Sequence, residues 1–372
     1  DQLNLVDAPF WALDEGADVV LHEYGGWIGK FYDGSSLLTQ VIEHSERLGV
    51  PHVLPAGNLA SGKRSAALEV PPGDEGVSVT LRLREGLGAE VLWGAVLWTQ
   101  EVAVQLELLP PGEQDPILFP PDQLSAEDLP GARRRVAELQ RSSRGTSKHD
   151  WALWGFADDQ LARLPAGDWT LRLRHDGEAA LPVVLRIADN KKSWSGGAFW
   201  AGDVDTVTHS VTWPATSDAG VVVFAYAGDQ NKGGGPAGQP TGALRAYSGR
   251  GPRIDGHELQ GIAAPDNPHT TWPIGGNNGH GGYGSFNGTS GAGPHVAGAL
   301  ALLIAGGLSP QAAQAALLAG AEVDEQVAAG SVNGWGRGKL RFDGAQFGHQ
   351  LPTPPEELVV TLDEAGEFAV LS

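Results

Sequence analysis

The side chain of this sequence best placed to do chemistry is the serine in SFNGTSGAGPHVAGALALLIAGG, residues 285–307. Residues 295–305 are almost all apolar and helix-compatible, and Pro294 suits the first turn of a helix, where its missing N–H costs no hydrogen bond. The run is too short to cross a bilayer, so it predicts a buried helix, with Ser290 just before it or in its first turn. Unsatisfied N–H groups and the positive end of the helix dipole gather there.

Two interpretations of Ser290 follow from its setting. Serine is a favoured helix N-cap, so the residue could simply begin a core helix. The whole string GTSGAGPHVAG, residues 288–298, favours a nucleophile, because it resembles the serine motif of subtilisin-like proteases, G-T-S-M-A-x-P-H-V-A-G. It departs from that motif at Gly291, where Met is usual, and at Gly293, which is often Ala. The resemblance implies that Ser290 is the nucleophile and that its own N–H is one oxyanion donor.

Four further segments resemble the same family, in the family's order along the chain. They are GADVVLHEYGGW (16–27), LGVPHVLPAGN (48–58), YSGRGPRIDGHELQGIAAPDN (247–267, resembling F-S-S-R-G-P…D-I-x-A-P-G) and NGWGRGKL (333–340). The resemblance implies an α/β fold with a mostly parallel sheet and flanking helices. It also implies that Asn58 supplies a side-chain oxyanion donor and that Gly25, Gly26, Ala56 and Gly57 line the substrate cleft. Taken alone, Asn58 after Gly57 is an ordinary turn residue.

A serine nucleophile needs a base, normally a histidine that a carboxylate orients. None of the eleven histidines lies in the H-G-[TS]-x-V-A-G context of this family, and no D-[ST]-G motif follows an apolar strand. The chain contains no methionine, and its resemblance begins at the helix of residues 3–14, after the part that carries those residues. We therefore expect a partner: an N-terminal fragment of the same precursor that carries Asp and His, separated by self-cleavage of a zymogen.

Composition limits the partners of this protein. The net charge of −20 and a pI near 4.8 argue against nucleic acid and anionic membranes, and no transmembrane run is present. Without cysteine the chain has neither disulfides nor a thiol nucleophile. The expected partner besides the fragment is a protein or peptide substrate. No cofactor and no metal ligand can be assigned, although structural calcium is compatible with the resemblance. Localisation stays open, with the family favouring an extracellular or periplasmic protein.

A long stretch between Asn58 and the resumed family pattern predicts an inserted all-β, jelly-roll-like sandwich. Residues 77–83 and 102–109 alternate as strands do, and 164–189 predicts a hairpin or two neighbouring strands with a turn at Asp176-Gly177. The basic run 131–141 predicts a short surface helix or loop. The position of the insert resembles that in clostridial spore-germination subtilases. The expected units are 1–65 and 203–348 for the catalytic domain, 66–202 for the insert and 349–372 for a C-terminal extension.

Two classes of function remain open on the sequence. One is a serine endopeptidase that acts through Ser290, and the other is a subtilase-fold pseudoprotease that serves as a regulatory or binding module. Retention of both Ser290 and Asn58 favours the enzyme, because transition-state groups serve no purpose in a pure binder. Glu23 stands where the family usually has Ser, and it could favour basic substrates or face a structural partner.

Overall fold

The computed structural model describes residues 2–120, 125–129, 133–157, 160–191, 196–228, 240–272, 282–342, 360–362 and 368–370. Most of the predicted C-terminal extension, and also His280 and His349, lie outside these ranges. The helices of these ranges are α1 (Gln2–Asp14), α2 (Leu37–Arg47), α3 (Thr289–Ala305), α4 (Pro310–Ala319), α5 (Glu325–Ala328) and α6 (Val332–Trp335), and a 3₁₀ turn lies at Ala60–Gly62.

Twenty strands lie in the described ranges. They are β1 (Val20–Leu21), β2 (His52–Pro55), β3 (Ser65–Val70), β4 (Gly73–Leu83), β5 (Val91–Trp98), β6 (Val104–Leu109), β7 (Ile117–Phe119), β8 (Ser125–Leu129), β9 (Arg133–Arg141), β10 (Ser147–Ala157), β11 (Gln160–Ala162), β12 (Gly167–His175), β13 (Leu181–Asp189), β14 (Phe199–Ala201), β15 (Val221–Ala227), β16 (Gly261–Asp266), β17 (His269–Trp272), β18 (Gly282–Ser285), β19 (Val360–Leu362) and β20 (Phe368–Val370).

A four-stranded parallel sheet, in the order β1-β2-β15-β16, carries the candidate site at the carboxyl ends of its strands. Its central strand β15 is a continuous apolar run because both faces are covered. Val221, Val223 and Ala225 pack with α3, whereas Val222 and Phe224 pack on the opposite side in a cluster that includes residues of α2. The expected α/β core with flanking helices is therefore present.

Helix α3 begins earlier than the sequence predicted. It runs over 17 residues from Thr289, so Ser290 lies in its first turn, as expected, but Pro294 falls in the second turn. The proline ring there replaces the N–H that would bond to the carbonyl of Ser290. Glycine at position 291 allows a close approach in this first turn, since a Cβ there would lie only 2.3 Å from the Phe286 carbonyl oxygen.

Two antiparallel sheets contain all the described strands between Ser65 and Ala201. One has the order β3-β13-β5-β10-β9-β8 with β11 beside β10, and the other has the order β14-β4-β12-β6-β7. One apolar cluster draws residues from both sheets, so they pack face to face; its largest fully buried side chains are Trp98, Trp169 and Trp200. Strand β12 shows the expected alternation, with Trp169 and Leu171 buried and the polar residues between them less so.

The structure corrects two predictions for this region, the second of them in part. The described part of the basic run 131–141 is neither a helix nor a loop, since Arg133–Arg141 forms strand β9. Its basic side chains pair with acidic ones: Arg134 bonds to Asp128 and Arg135 to Glu127, both on β8. Oppositely charged cross-strand pairs thus accompany a strand without apolar alternation. Residues 164–189 form two successive strands on either side of Asp176-Gly177, but not the hairpin, because β12 and β13 belong to different sheets.

Strand β5 joins the two-sheet core to the parallel-sheet core. Successive side chains of a strand point to opposite faces, and those of β5 enter two different clusters: Leu92 and Val96 pack with the two-sheet core, whereas Ala95 and Leu97 pack with Trp213. The shared strand gives the two parts of the molecule a common apolar boundary.

Polar contacts reinforce that boundary at the turn between β9 and β10. The Arg144 guanidinium lies 2.6 Å from Asp218 and also donates to the carbonyl of Asp33 at 3.1 Å. Ser142 Oγ donates to Asp33 Oδ2 at 2.5 Å. Partial burial acts to raise the pKa of Asp218, but hydrogen bonds from Arg144 and Arg253, together with their charge, lower it to about 2. These contacts tie the turn to the segment before α2 and to the segment before β15.

Candidate active site

Ser290 lies in the first turn of α3 and is half-buried. The residue before the helix, Gly288, has φ of +97°, a conformation that strongly favours glycine. A Cβ at this position would also come within 2.9 Å of the Asn58 amide nitrogen. Glycine at position 288 is therefore required by both conformation and space, and it lets Asn58 approach the turn that carries Ser290.

Asn58 and Thr289 bind the end of β2 to the start of α3. Asn58 Oδ1 accepts hydrogen bonds from the backbone N–H of Thr289 at 3.0 Å and from its hydroxyl at 3.3 Å. The Thr289 hydroxyl in turn accepts from the N–H of Gly57 at 3.0 Å, where Gly57 has φ of +89°. Because its oxygen takes both bonds, the Asn58 amide keeps its Nδ2 donors for another acceptor. The predicted pair, Ser290 and Asn58, thus comes together in space.

A buried carboxylate supports the same turn from the other side, and the sequence interpretation missed it. The Gly288 N–H donates to the Tyr247 hydroxyl at 3.2 Å, and that hydroxyl donates to Asp266, which also accepts from Arg245 Nε at 2.8 Å. Burial raises the pKa of Asp266, against the opposing effect of Arg245. The sequence contained a sign of this contact. Tyr247 replaces the first Phe, and Asp266 the last Gly, of the family's F-S-S-R-G-P…A-P-G pattern, and these two departures bond to each other.

Glu23 follows β1, and its carboxyl group lies beside the helix that carries Ser290. The residue is exposed as a whole, but a Cβ on Gly293 would lie 3.0 Å from its Oε1. Partial loss of water around the carboxyl raises the pKa of Glu23 to about 7, and the nearby Ser290 side chain acts in the opposite direction. An acidic group with a raised pKa therefore lies near the predicted nucleophile.

The four predicted cleft residues are arranged around Thr212 and Trp213. Gly26 exchanges two backbone hydrogen bonds with Trp213, at 2.9 and 3.0 Å, and the Thr212 N–H donates to the Ala56 carbonyl at 3.0 Å. A Cβ on Gly25 would lie 2.8 Å from the Thr212 hydroxyl, and one on Gly57 would also collide with that side chain. The two glycine segments are thus brought together, with Thr212 filling the space between them.

The histidines whose side chains are described make their hydrogen bonds away from Ser290. The His295 ring bonds to the Gly291 carbonyl at 3.1 Å, within α3. His22 and His52 are both buried and bond to each other, Nε2 to Nδ1 at 2.6 Å, with Tyr24 and Ser45 at the outer ends of the pair. Burial lowers the pKa of His22 to about 4 and that of His52 to about 3. Neutral, mutually bonded rings of this kind are a structural pair rather than the base of Ser290.

Two searches over the described part of the chain bear on cofactors and membranes. No group of three or more His, Cys, Asp or Glu residues there is arranged to hold a metal ion. None of its helices combines the length and the apolar character that a bilayer crossing needs.

Comparison with known proteins agrees with this geometry. The model of the subtilase family matches residues 190–338, a range that includes Ser290 and leaves Asn58 and Glu23 upstream. Among solved structures, the chain is similar to the CspB protease of Clostridium perfringens, with a TM-score of 0.71 and 18% identity over 90% of this chain and 68% of that chain.

A second solved structure, the Bacillus licheniformis lipase BlEst2 in propeptide form, gives a TM-score of only 0.22 with 11% identity, over 34% of this chain and 22% of that one, and carries no argument about the fold. No curated protein matches the chain. Residues 190–338 thus match the subtilase family model, and the fold of the chain is similar to that of the CspB protease.

Proposed function

We propose that this chain carries the nucleophile and the oxyanion donors of a serine endopeptidase. The observation that supports this most strongly is the bond between Asn58 and the backbone of Thr289, because it holds the Asn58 amide beside the turn that bears Ser290. If Ser290 only capped the helix, the end of β2 would not need to be fixed against the start of α3. The subtilase match over residues 190–338 agrees with the proposal.

The proposed reaction is acyl transfer from a peptide to Ser290. Ser290 Oγ attacks the scissile carbonyl carbon, and its proton passes to a histidine base. The Ser290 N–H and Asn58 Nδ2 donate to the oxyanion, close to the positive end of the α3 dipole. The base then protonates the leaving amine, and a water molecule hydrolyses the acyl-enzyme. We propose Gly25, Gly26, Ala56 and Gly57 as backbone walls of the substrate cleft.

The base and its orienting acid are assigned to a partner. None of the described histidine hydrogen bonds involves Ser290, so the catalytic His and Asp are proposed to come from an N-terminal fragment of the same precursor, released by self-cleavage. We further propose that residues 66–202 are a jelly-roll-like sandwich inserted between catalytic parts 1–65 and 203–348, with 349–372 as an extension. The two packed sheets between Ser65 and Ala201 support the proposed insert.

The second candidate is a pseudoprotease that binds rather than cleaves. What favours it is that none of the hydrogen bonds of the described histidines involves Ser290. A binder would keep the fold of α3 and β2 without reacting at Ser290.

The deciding experiment is covalent labelling of the full-length gene product with a fluorophosphonate probe, read by mass spectrometry of the peptides. An adduct on Ser290 supports the enzyme, and Ser290→Ala should abolish it. Ser309→Ala is the matched control, because Ser309 is also a serine at a helix start, where it caps α4. If the folded protein gives no adduct on Ser290, or if the control variant loses it equally, the endopeptidase proposal fails.

A further inference from the structure

A small cavity lies where the two-sheet core meets the parallel-sheet core. Strands β5 and β13 supply part of its wall, and the segments before α2, β15 and β16 supply the rest. About 10 Å³ of it is open to the centre of a water-sized sphere, which is room for one water molecule or one ion of about that size. It shares Val184, His209 and Ile254 with a larger cavity of about 290 Å³, whose wall includes the exposed residues Glu69 and Thr99. The larger cavity therefore gives a small solute a route from the surface.

The wall of the small cavity contains buried polar groups that lack a hydrogen-bond partner. Tyr32, Arg186 and Thr216 line it, with exposed fractions of only 4%, 2% and 2%. The Tyr32 hydroxyl, the Thr216 hydroxyl and the Nε and Nη1 atoms of Arg186 have no hydrogen-bond partner among the described residues. Buried polar groups in folded proteins are nearly always paired. Four such groups around one space therefore indicate a site for a species that bonds to them.

The charge of Arg186 favours an anion over a water molecule at this site. Its Nη2 atom donates to the carbonyl of His209 and, at 3.2 Å, to that of Val211, and its guanidinium lies over the Tyr32 ring, 4.4 Å from the centroid. Burial lowers the pKa of Arg186 to about 10, so the side chain is still charged at neutral pH. A water molecule could bond to the four free groups, but it would leave this charge without a counter-charge, which is costly in the interior.

The charged groups around the cavity do not supply that counter-charge. None of the described residues in its wall is Asp or Glu. Arg253, the other guanidinium of the wall, bonds to two carboxylates of its own. Asp150 stands across β5 from Arg186, since both pair with Ala95, but its carboxylate bonds to Lys148. The site thus keeps one positive charge that the described residues leave unmatched.

We propose that Arg186, Tyr32 and Thr216 bind one small monovalent anion, of about the size of chloride, between the two cores. The anion accepts hydrogen bonds from Nε and Nη1 of Arg186 and from both hydroxyls, and its charge offsets that of the guanidinium. Arg186 belongs to β13 of the two-sheet part, whereas Tyr32 and Thr216 belong to segments that flank α2 and β15. Binding therefore stabilises the packing of one core on the other. This proposal does not depend on the role of Ser290.

The test is urea unfolding of the full-length gene product at constant ionic strength, with sodium chloride replacing sodium gluconate, whose anion is too large for the cavity. A ligand that binds only the folded state stabilises it in proportion to the logarithm of its concentration, once that exceeds the Kd. Each tenfold rise in chloride above the Kd should therefore lower the unfolding equilibrium constant of the natural protein tenfold, and Arg186→Met should abolish this response. Tyr32→Phe and Thr216→Val each remove one donor and should need about tenfold more chloride for the same shift.

Thr146→Val is the matched control and should keep the natural response to chloride. Thr146 Oγ1 is also buried without a hydrogen-bond partner among the described residues, but Thr146 is not part of the wall of this cavity. If Arg186→Met does not fold, the two hydroxyl variants decide.

Crystals of the natural protein soaked in sodium bromide locate the anion directly. An anomalous peak is expected within hydrogen-bonding distance of Arg186 and of the hydroxyls of Tyr32 and Thr216. A natural protein whose unfolding does not depend on chloride, hydroxyl variants that respond as the control does, or a water molecule at the site in the presence of bromide would overturn the proposal. Labelling of Ser290 is measured separately, so none of these results bears on the proposed function.

Discussion

Acid should destabilise this protein through the His22–His52 pair. Both rings are buried, and their facing nitrogens are 2.6 Å apart, so one must donate and the other accept. Burial lowers the pKa of His22 to about 4 and that of His52 to about 3, from an ordinary value of about 6.5. In the unfolded chain both histidines take up protons below pH 6.5, whereas the folded protein keeps both neutral down to about pH 4. The stability that the pair provides is therefore complete above pH 6.5 and is lost as the pH falls.

The size of the effect follows from proton linkage. Between pH 7 and pH 5, each histidine that protonates only in the unfolded chain lowers the free energy of unfolding by about 2 kcal/mol, and the pair by about 4 kcal/mol. At pH 5 the folded protein still holds both rings neutral, so their mutual coupling does not enter the sum. Burial also lowers the pKa of His149 to about 4, and that histidine adds to the slope independently of the pair.

The assay is urea unfolding at pH 7, 6 and 5, followed by circular dichroism. A variant with both His22→Gln and His52→Gln loses stability at pH 7, but its stability should fall by about 4 kcal/mol less than that of the natural protein on going to pH 5. His44→Gln, at an exposed position of α2, controls for the loss of a histidine as such. Equal pH dependence in the natural protein and the double variant would refute the assignment of neutral, buried rings.

Three further substitutions, two of them with a control variant, test the contacts of the site, of helix α3 and of the boundary between the two cores. Tyr247→Phe removes the hydroxyl between the Gly288 N–H and Asp266 and should lower the free energy of unfolding by about 1–3 kcal/mol while slowing labelling at Ser290. Leu300→Ala, fully buried in α3, should cost about 2–5 kcal/mol in urea unfolding, whereas Leu302→Ala, 44% exposed on the same helix, should cost less than about 0.5 kcal/mol. Arg144→Ala should lower the free energy of unfolding by about 1 kcal/mol, because its partners Asp218 and Asp33 lie across the boundary between the two cores. Arg134→Ala is the control: its partner Asp128 is an exposed neighbour, so the unfolding midpoint should not change.

The parts of the structure that could be predicted are those encoded by local pattern. The apolar run after Ser290 predicted a buried helix, and the motifs around Ser290 and Asn58 predicted that these two residues meet. The contact between Glu23 and Gly293 could not be derived in this way, since each is only a departure from a pattern until the fold brings them together. The same holds for Tyr247 and Asp266.

The errors have a common physical origin as well. Strand β9 escaped prediction because it lacks apolar alternation, and its place is set by pairing with β8 and β10. Strands β12 and β13 resembled a hairpin because the turn at Asp176-Gly177 is local, while the choice of partner sheet depends on packing far along the chain. Register and pairing in large antiparallel sheets depend on contacts between residues distant in sequence.

The most direct measurement for this protein is the structure of the full-length gene product after reaction with a fluorophosphonate. The proposed chemistry predicts phosphorus bonded to Ser290 Oγ, with one phosphonyl oxygen about 2.7–3.1 Å from both the Ser290 nitrogen and Asn58 Nδ2. That arrangement would reproduce the oxyanion of the tetrahedral intermediate at the start of α3. An unmodified Ser290 in the treated protein, or an adduct whose oxygen points away from Asn58, would contradict the account.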